Sequence, residues 1–199
     1  MKNIDWQKNQ GLIPAVVQDA DSGQVLMLGY MNEASLEQTE AKGLVTFFSR
    51  SRNQLWTKGE TSGNFLKFVS AEVDCDGDTF LIQARPQGPV CHEGTTTCWG
   101  EGAESPLAFL AKLSQVIGSR FANPDAQSSY VAKLIAGGID RMAQKVGEEA
   151  VETAIASKNE DLKAFEGEAA DLLFHLMVLV RAKGSSLAAL SEVLRSRHR

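Results

Sequence analysis

The 199-residue sequence predicts a multidomain protein: a strand-rich α+β domain over residues 1–104, then an all-α helical bundle over residues 105–199. Three observations predict this division. All three cysteines, all three tryptophans and 11 of the 17 glycines precede residue 105. The charge balance changes at the same place, from 8 basic against 14 acidic residues to 12 against 11. The hydrophobic pattern changes too, from short β-favouring runs to apolar residues at helical spacing.

In the first domain, residues 13–17, 25–28, 45–49, 65–73 and 79–84 read as strands, separated by Gly, Asn or Asp turn signals. One helix interrupts them, from Asn32 to Lys42, with Gly43 as its stop. Between the domains lies the Gly-rich acidic stretch Trp99–Pro106, ending in Ser105 as N-cap and Pro106 at the first helical position. The second domain then reads as helices near 106–119, 127–136, 140–157, 160–183 and 186–196. Gly137-Gly138 breaks the second from the third, and Gly184 closes the fourth.

Composition limits the function classes. With 43% hydrophobic and 23% charged residues the chain has enough apolar material for two cores. A net charge of −5 argues against nucleic-acid binding, which needs clustered Lys and Arg, and the Arg195–Arg199 tail reads as a solvated helix end. Residues 1–8 lack the apolar stretch of a secretory signal, and no apolar run approaches the roughly 18 residues of a membrane span. The expectation is a cytoplasmic protein whose three cysteines stay reduced and available to a metal.

The chemistry-bearing residues fall into two groups. In the first domain, Asp74-Cys75-Asp76-Gly77-Asp78 interleaves hard oxygen and soft sulfur ligands, which suggests two metals side by side. Strand alternation would put Asp74 and Asp76 on one face and Cys75 on the other; the alternative is a polar turn, since Asp-Gly favours a hairpin. Cys91 and Cys98 bring the thiols to three. Either His92 completes a closed zinc site, or water takes an open fourth position and His92 serves as general base; a plain surface histidine is the third possibility. Arg50, Arg52 and Lys58, with nearby hydroxyls and glycines, suit a phosphate and sugar.

In the second domain, Glu149 and Glu152 are three residues apart, and Glu148 and Glu152 four apart, so these acids share a helix face. Glu168 and Asp171 repeat the spacing on the next helix. Matched acids on two facing helices suit Mg²⁺. Lys133, Arg141 and Lys145 are candidate triphosphate contacts. His175 either orients a carboxylate or water, or is a satisfied core histidine.

Taken together, Val25–Asn32, Phe48–Arg52, Trp56–Asn64, Asp74–Asp78 and Cys91–Trp99 resemble phosphoribosyl-AMP cyclohydrolase. Asp140–Glu152 and Glu168–His175 resemble phosphoribosyl-ATP pyrophosphohydrolase, and the two in this order are similar to the bifunctional enzymes of histidine biosynthesis. The resemblance implies that Cys75, Cys91 and Cys98 bind Zn²⁺ and Asp74, Asp76 and Asp78 bind Mg²⁺. It implies Mg²⁺ ligands or helpers at Glu148, Glu149, Glu152, Glu168 and Asp171; the residues themselves make His92, Glu149 and Glu152 the expected catalytic groups. The resemblance further implies an intertwined homodimer of the first domain with zinc shared between subunits, and phosphoribosyl-ATP and phosphoribosyl-AMP as substrates. Two other readings compete: a nucleotide pyrophosphohydrolase whose zinc is only structural, and a non-enzymatic, metal-dependent nucleotide-binding module.

Overall fold

A computed structural model describes residues 4–8, 10–100, 105–123 and 129–198. Contacts divide the chain into two compact units, Met1–Phe109 and Leu110–Arg199.

The first unit is built on a four-stranded sheet of order β2-β1-β6-β5. Its strands are β1 (Ile13–Asp19), β2 (Val25–Met31), β5 (Leu66–Val73) and β6 (Phe80–Pro86). β1 pairs antiparallel with β2 and parallel with β6, while β5 and β6 form an antiparallel pair. Alternation sets the burial: Ile13, Ala15 and Val17 on β1 and Phe80, Ile82 and Ala84 on β6 are fully buried on one face. The opposite face carries Leu28, Val16 and Leu81 in one row across three strands.

A separate ribbon pairs β3 (Thr46–Ser49) with β4 (Gln54–Thr57). Helix α1 (Glu33–Lys42) opens with a capping box between Asn32 and Ser35 and closes on Gly43 at φ 66°. The Thr39 hydroxyl accepts from the Thr46 amide at 2.9 Å, which ties α1 to β3.

The second unit contains most of α2 (Pro106–Ala122), then α3 (Tyr130–Ala136), α4 (Gly138–Ala156), α5 (Leu162–Ala182) and α6 (Leu187–Arg197). Ser129, Asp161 and Ser186 cap α3, α5 and α6 through their side chains. Ile117, Leu134, Met142, Met177 and Val178 form the core. The sequence placed the start of α3 at 127, which lies outside the described residues. Among the described residues no single helix is long and apolar enough to cross a membrane; α5 with α6 passes on length and composition only, and that pair is bent by 102°.

Two expectations are corrected. The Asp74–Asp78 cluster lies in the loop between β5 and β6, not on a strand, so alternation does not govern its side chains. The chain has too few residues there to extend both strands and still reverse direction, and Gly77 at φ 82° makes the reversal. In addition, Gln54–Thr57 forms β4, a strand absent from those the sequence predicts.

Candidate metal centres and substrate cleft

The β5–β6 loop is folded around Asp74. Its Oδ1 accepts from the amides of Gly77, Asp78 and Thr79 at 3.0, 3.0 and 3.2 Å, closing a tight concave turn. This brings one carboxylate oxygen each of Asp74, Asp76 and Asp78 within 4.8 Å of one another. Three carboxylates so close repel, and their oxygens suit a hard divalent cation. The Lys8 ammonium now takes the counter-charge role: it hydrogen-bonds to Asp76 and lies 2.8 Å from Asp78 Oδ2. These contacts hold the Lys8 pKa well above the ordinary lysine value.

Cys91 and Cys98 close a second loop. The Cys91 amide donates to the Thr95 carbonyl at 3.0 Å and the Cys98 amide to the Leu26 carbonyl at 2.9 Å, which anchors the loop on β2. Thr97, buried at 2% exposure, accepts from the Trp99 amide and donates to the Gly100 carbonyl. The two thiols face each other. The Glu93 amide and the Thr95 hydroxyl lower the Cys91 pKa, whereas burial and then the nearby Cys91 raise that of Cys98. Cys91 is therefore the readier thiolate. Cys75 does not join them: among the described residues no set of three ligand atoms within 4.8 Å includes the thiols. Exposed His92 places Nδ1 3.8 Å from Cys91 Sγ.

Arg50 and Arg52 line a cleft of about 460 Å³ with Met27, Tyr30, Phe47 and Trp56. The Arg50 guanidinium stacks 3.7 Å from the Tyr30 ring centroid, and Arg52 lies 6.0 Å from that of Trp56. Lys58 is not part of that wall; it is buried, and its charge acts on Cys98.

In the helical unit Glu149, Glu152 and Glu168 bring carboxylate oxygens within 4.8 Å of one another. Glu149 is 5% exposed, a depth a lone carboxylate avoids. Lys145 offsets it, 2.5 Å from Glu149 and 2.9 Å from Glu148, and depresses both carboxyl pKa values. Glu152 moves the other way, raised by repulsion from Glu149, by burial and by Glu168. Glu148 also faces Arg141 at 3.7 Å, and Lys133 is exposed on α3. Asp171 stands outside the carboxylate set, but its carbonyl accepts from His175 Nδ1 at 2.8 Å. That bond leaves His175 Nε2 to accept from the Tyr130 hydroxyl at 2.8 Å. Sequence reading missed Lys8, Thr97 and Tyr130; single residues without a repeat or spacing carry no pattern.

A strand-rich unit with a thiol pair and an acidic loop, joined to a helical unit with converging carboxylates, carries in each unit a set of side chains of the kind that hydrolases acting on phosphorylated substrates use. Residues 27–100 match the phosphoribosyl-AMP cyclohydrolase family, and residues 110–198 match the phosphoribosyl-ATP pyrophosphohydrolase family. The chain is 52% identical over 197 residues to the histidine biosynthesis bifunctional protein HisIE of Escherichia coli K12, covering 99% of this chain and 96% of that protein. It is also 52% identical to the proteins of that name from Xanthomonas axonopodis pv. citri (100% of this chain, 94% of that one) and Shewanella oneidensis (98% and 91%). The chain belongs to this family of bifunctional histidine-biosynthesis hydrolases.

Proposed function

We propose that the helical unit converts phosphoribosyl-ATP to phosphoribosyl-AMP and pyrophosphate, and that the strand-rich unit then opens the N1–C6 bond of the adenine ring. The observation that carries this assignment is the convergence of Glu149, Glu152 and Glu168 within 4.8 Å at a buried position, in a unit separate from the thiols. Such a set fits Mg²⁺, which when bound supplies charge neutralisation for a triphosphate. Glu152, the exposed member of the set, is the carboxylate placed to take the proton of an attacking water. Glu149 and Glu168 hold the cation, with Glu148 and Asp171 as outer helpers. Lys145, Arg141 and Lys133 face the triphosphate.

In the strand-rich unit the donor set of Cys75, Cys91 and Cys98 fits Zn²⁺, which when bound supplies a water that loses its proton near neutral pH. Arg50 and Arg52 hold a substrate phosphate in their cleft, and Lys58 keeps positive charge beside Cys98. His92 carries the proton from water to the ring nitrogen N1 as the C6–N1 bond breaks. Asp74, Asp76 and Asp78 would hold a Mg²⁺, which would supply charge neutralisation for the other phosphate. Because Cys75 stands apart from the other two thiols, a complete set needs a second copy, which supports a homodimer with zinc shared between subunits. We place the domain division at 104/105, a reading that the start of α2 at Pro106 supports, although the contact division falls at Phe109/Leu110. The protein acts in the cytoplasm on these two nucleotides, a reading the three free thiols support.

The test follows turnover of phosphoribosyl-ATP by ultraviolet absorbance and pyrophosphate release. Cys98→Ala should release pyrophosphate and accumulate phosphoribosyl-AMP. Glu149→Gln should leave phosphoribosyl-ATP untouched while still opening the ring of supplied phosphoribosyl-AMP. Loss of both steps in Cys98→Ala would favour a purely structural zinc, and no product from the wild type would overturn the enzymatic reading.

A further inference from the structure

A short N-terminal clip grips the acidic loop. The Asp5 amide donates to the Gly77 carbonyl at 2.8 Å, inside the loop that carries the three aspartates. Asp5 Oδ1 in turn accepts from the amides of Gln7 and Lys8, both at 3.1 Å, a local turn that aims Lys8 back at the loop. Trp6 packs on Phe80 at the start of β6, with ring centroids 5.7 Å apart, and the Gly11 amide donates to the Trp6 carbonyl at 2.7 Å. Gln10 at φ 56° and Gly11 at φ 83° turn the chain from the clip into β1. The result places one ammonium between Asp76 and Asp78, across 68 residues of sequence from the first of them.

Helical geometry alone brings Lys145 to its acids, because they are three and four residues away on the same helix. Nothing local brings Lys8 to Asp76. The backbone bond to Gly77, the turn at Asp5 and the Trp6 contact all serve that placement. The clip also lies outside residues 27–100, the part matched to the cyclohydrolase family.

We propose that Lys8 is a built-in counter-cation for the Asp74–Asp76–Asp78 site: it holds Asp76 and Asp78 beside the amide-bound Asp74 in ligating geometry, and a divalent cation displaces it. Its ammonium and the cation compete for the same oxygens of Asp76 and Asp78, so Lys8 is a positioning residue that sets the cation affinity of the site. This rests on the assignment of those aspartates to Mg²⁺. Two consequences follow from the sign of the charge. Without Lys8 the loop keeps three unneutralised carboxylates, so it binds a dication more tightly and is less stable in its absence.

The test is a Mn²⁺ titration of the zinc-loaded full chain, read by tryptophan emission. Trp6, Trp56 and Trp99 all lie in the first unit, and a Glu149→Gln background in every chain removes binding at the helical acids from the signal. Lys8→Met should bind Mn²⁺ about three- to tenfold more tightly than wild type, the range for two surface ion pairs lost to competition. Lys8→Arg, which keeps the charge, should bind as wild type does. Thermal unfolding of the same zinc-loaded chain gives a second readout: Lys8→Met should melt lower than wild type without added Mn²⁺ and equally in saturating Mn²⁺. Equal or weaker binding by Lys8→Met overturns the proposal, as does tighter binding by Lys8→Arg. An absence of any emission change in wild type overturns both this proposal and the aspartate metal site beneath it.

Discussion

Glu152 faces two other carboxylates, and without a cation that proximity works against folding. Its folded-state pKa lies above the ordinary 4.5, so its contribution to stability is present at low pH and is lost as pH rises through the raised value. Glu148 and Glu149 behave oppositely. Lys145 depresses their pKa values, so their contribution is present above 4.5 and is lost as pH falls through the folded values. Glu152→Gln should therefore raise the Tm of the metal-free chain at pH 7, and added Mg²⁺ should raise the Tm of the wild type more than that of the variant, which has less repulsion for the cation to relieve. Pyrophosphate release should fall by at least about 100-fold. Calorimetry with EDTA and with Mg²⁺ measures the first two; a lower Tm for the metal-free variant would show that the three acids do not repel. At this scale the sequence made the acids legible because their spacing of three recurs on consecutive helices, whereas Asp171 has the same spacing and falls outside the set. Spacing defines a helix face, but the direction of each side chain depends on how the two helices meet.

Among the elements, β2 and β3 meet at one glycine. A Cβ on Gly29 would lie 2.4 Å from the Phe47 ring, closer than real Cβ contacts come, and Phe47 is 1% exposed within the core cluster. Gly29→Ala should cost about 1–3 kcal/mol, the usual range for an overpacked core, read from urea unfolding. Phe47 also lines the arginine cleft, so the same change should raise KM for phosphoribosyl-AMP more than it lowers kcat. A stability and KM equal to wild type would mean that β3 shifts freely away from the sheet. Much at this scale was legible. Asn32, Ser35 and Gly43 mark both ends of α1 in sequence because caps are chemical signals local to the chain. The parallel pairing of β1 with β6 was not, since register between segments some 60 residues apart follows from packing. β4 escaped for a related reason: four residues with exposed Gln54 give too short an alternation to register.

For the whole molecule the open question is where the third thiol comes from. Within one chain Cys91 and Cys98 face each other and Cys75 stands apart on the β5–β6 loop. If each zinc takes Cys75 from one subunit and the pair from the other, a two-fold dimer holds two identical sites. Cys75→Ser and Cys98→Ser chains should then each be inactive in ring opening when alone, because both sites of each homodimer lack a ligand. Mixed by joint refolding, they should recover activity. A heterodimer contains one site in which both mutations meet and one in which neither does, and half of the dimers from an equal mixture are heterodimers. Ring opening should therefore return to about a quarter of the wild-type value, by that symmetry count. A site assembled within a single chain predicts no recovery, since every chain in the mixture lacks one of its own ligands. Pyrophosphate release, which depends on the helical acids, should stay at the wild-type level in both variants and in the mixture, so a loss there would expose misfolding and keep the complementation result interpretable.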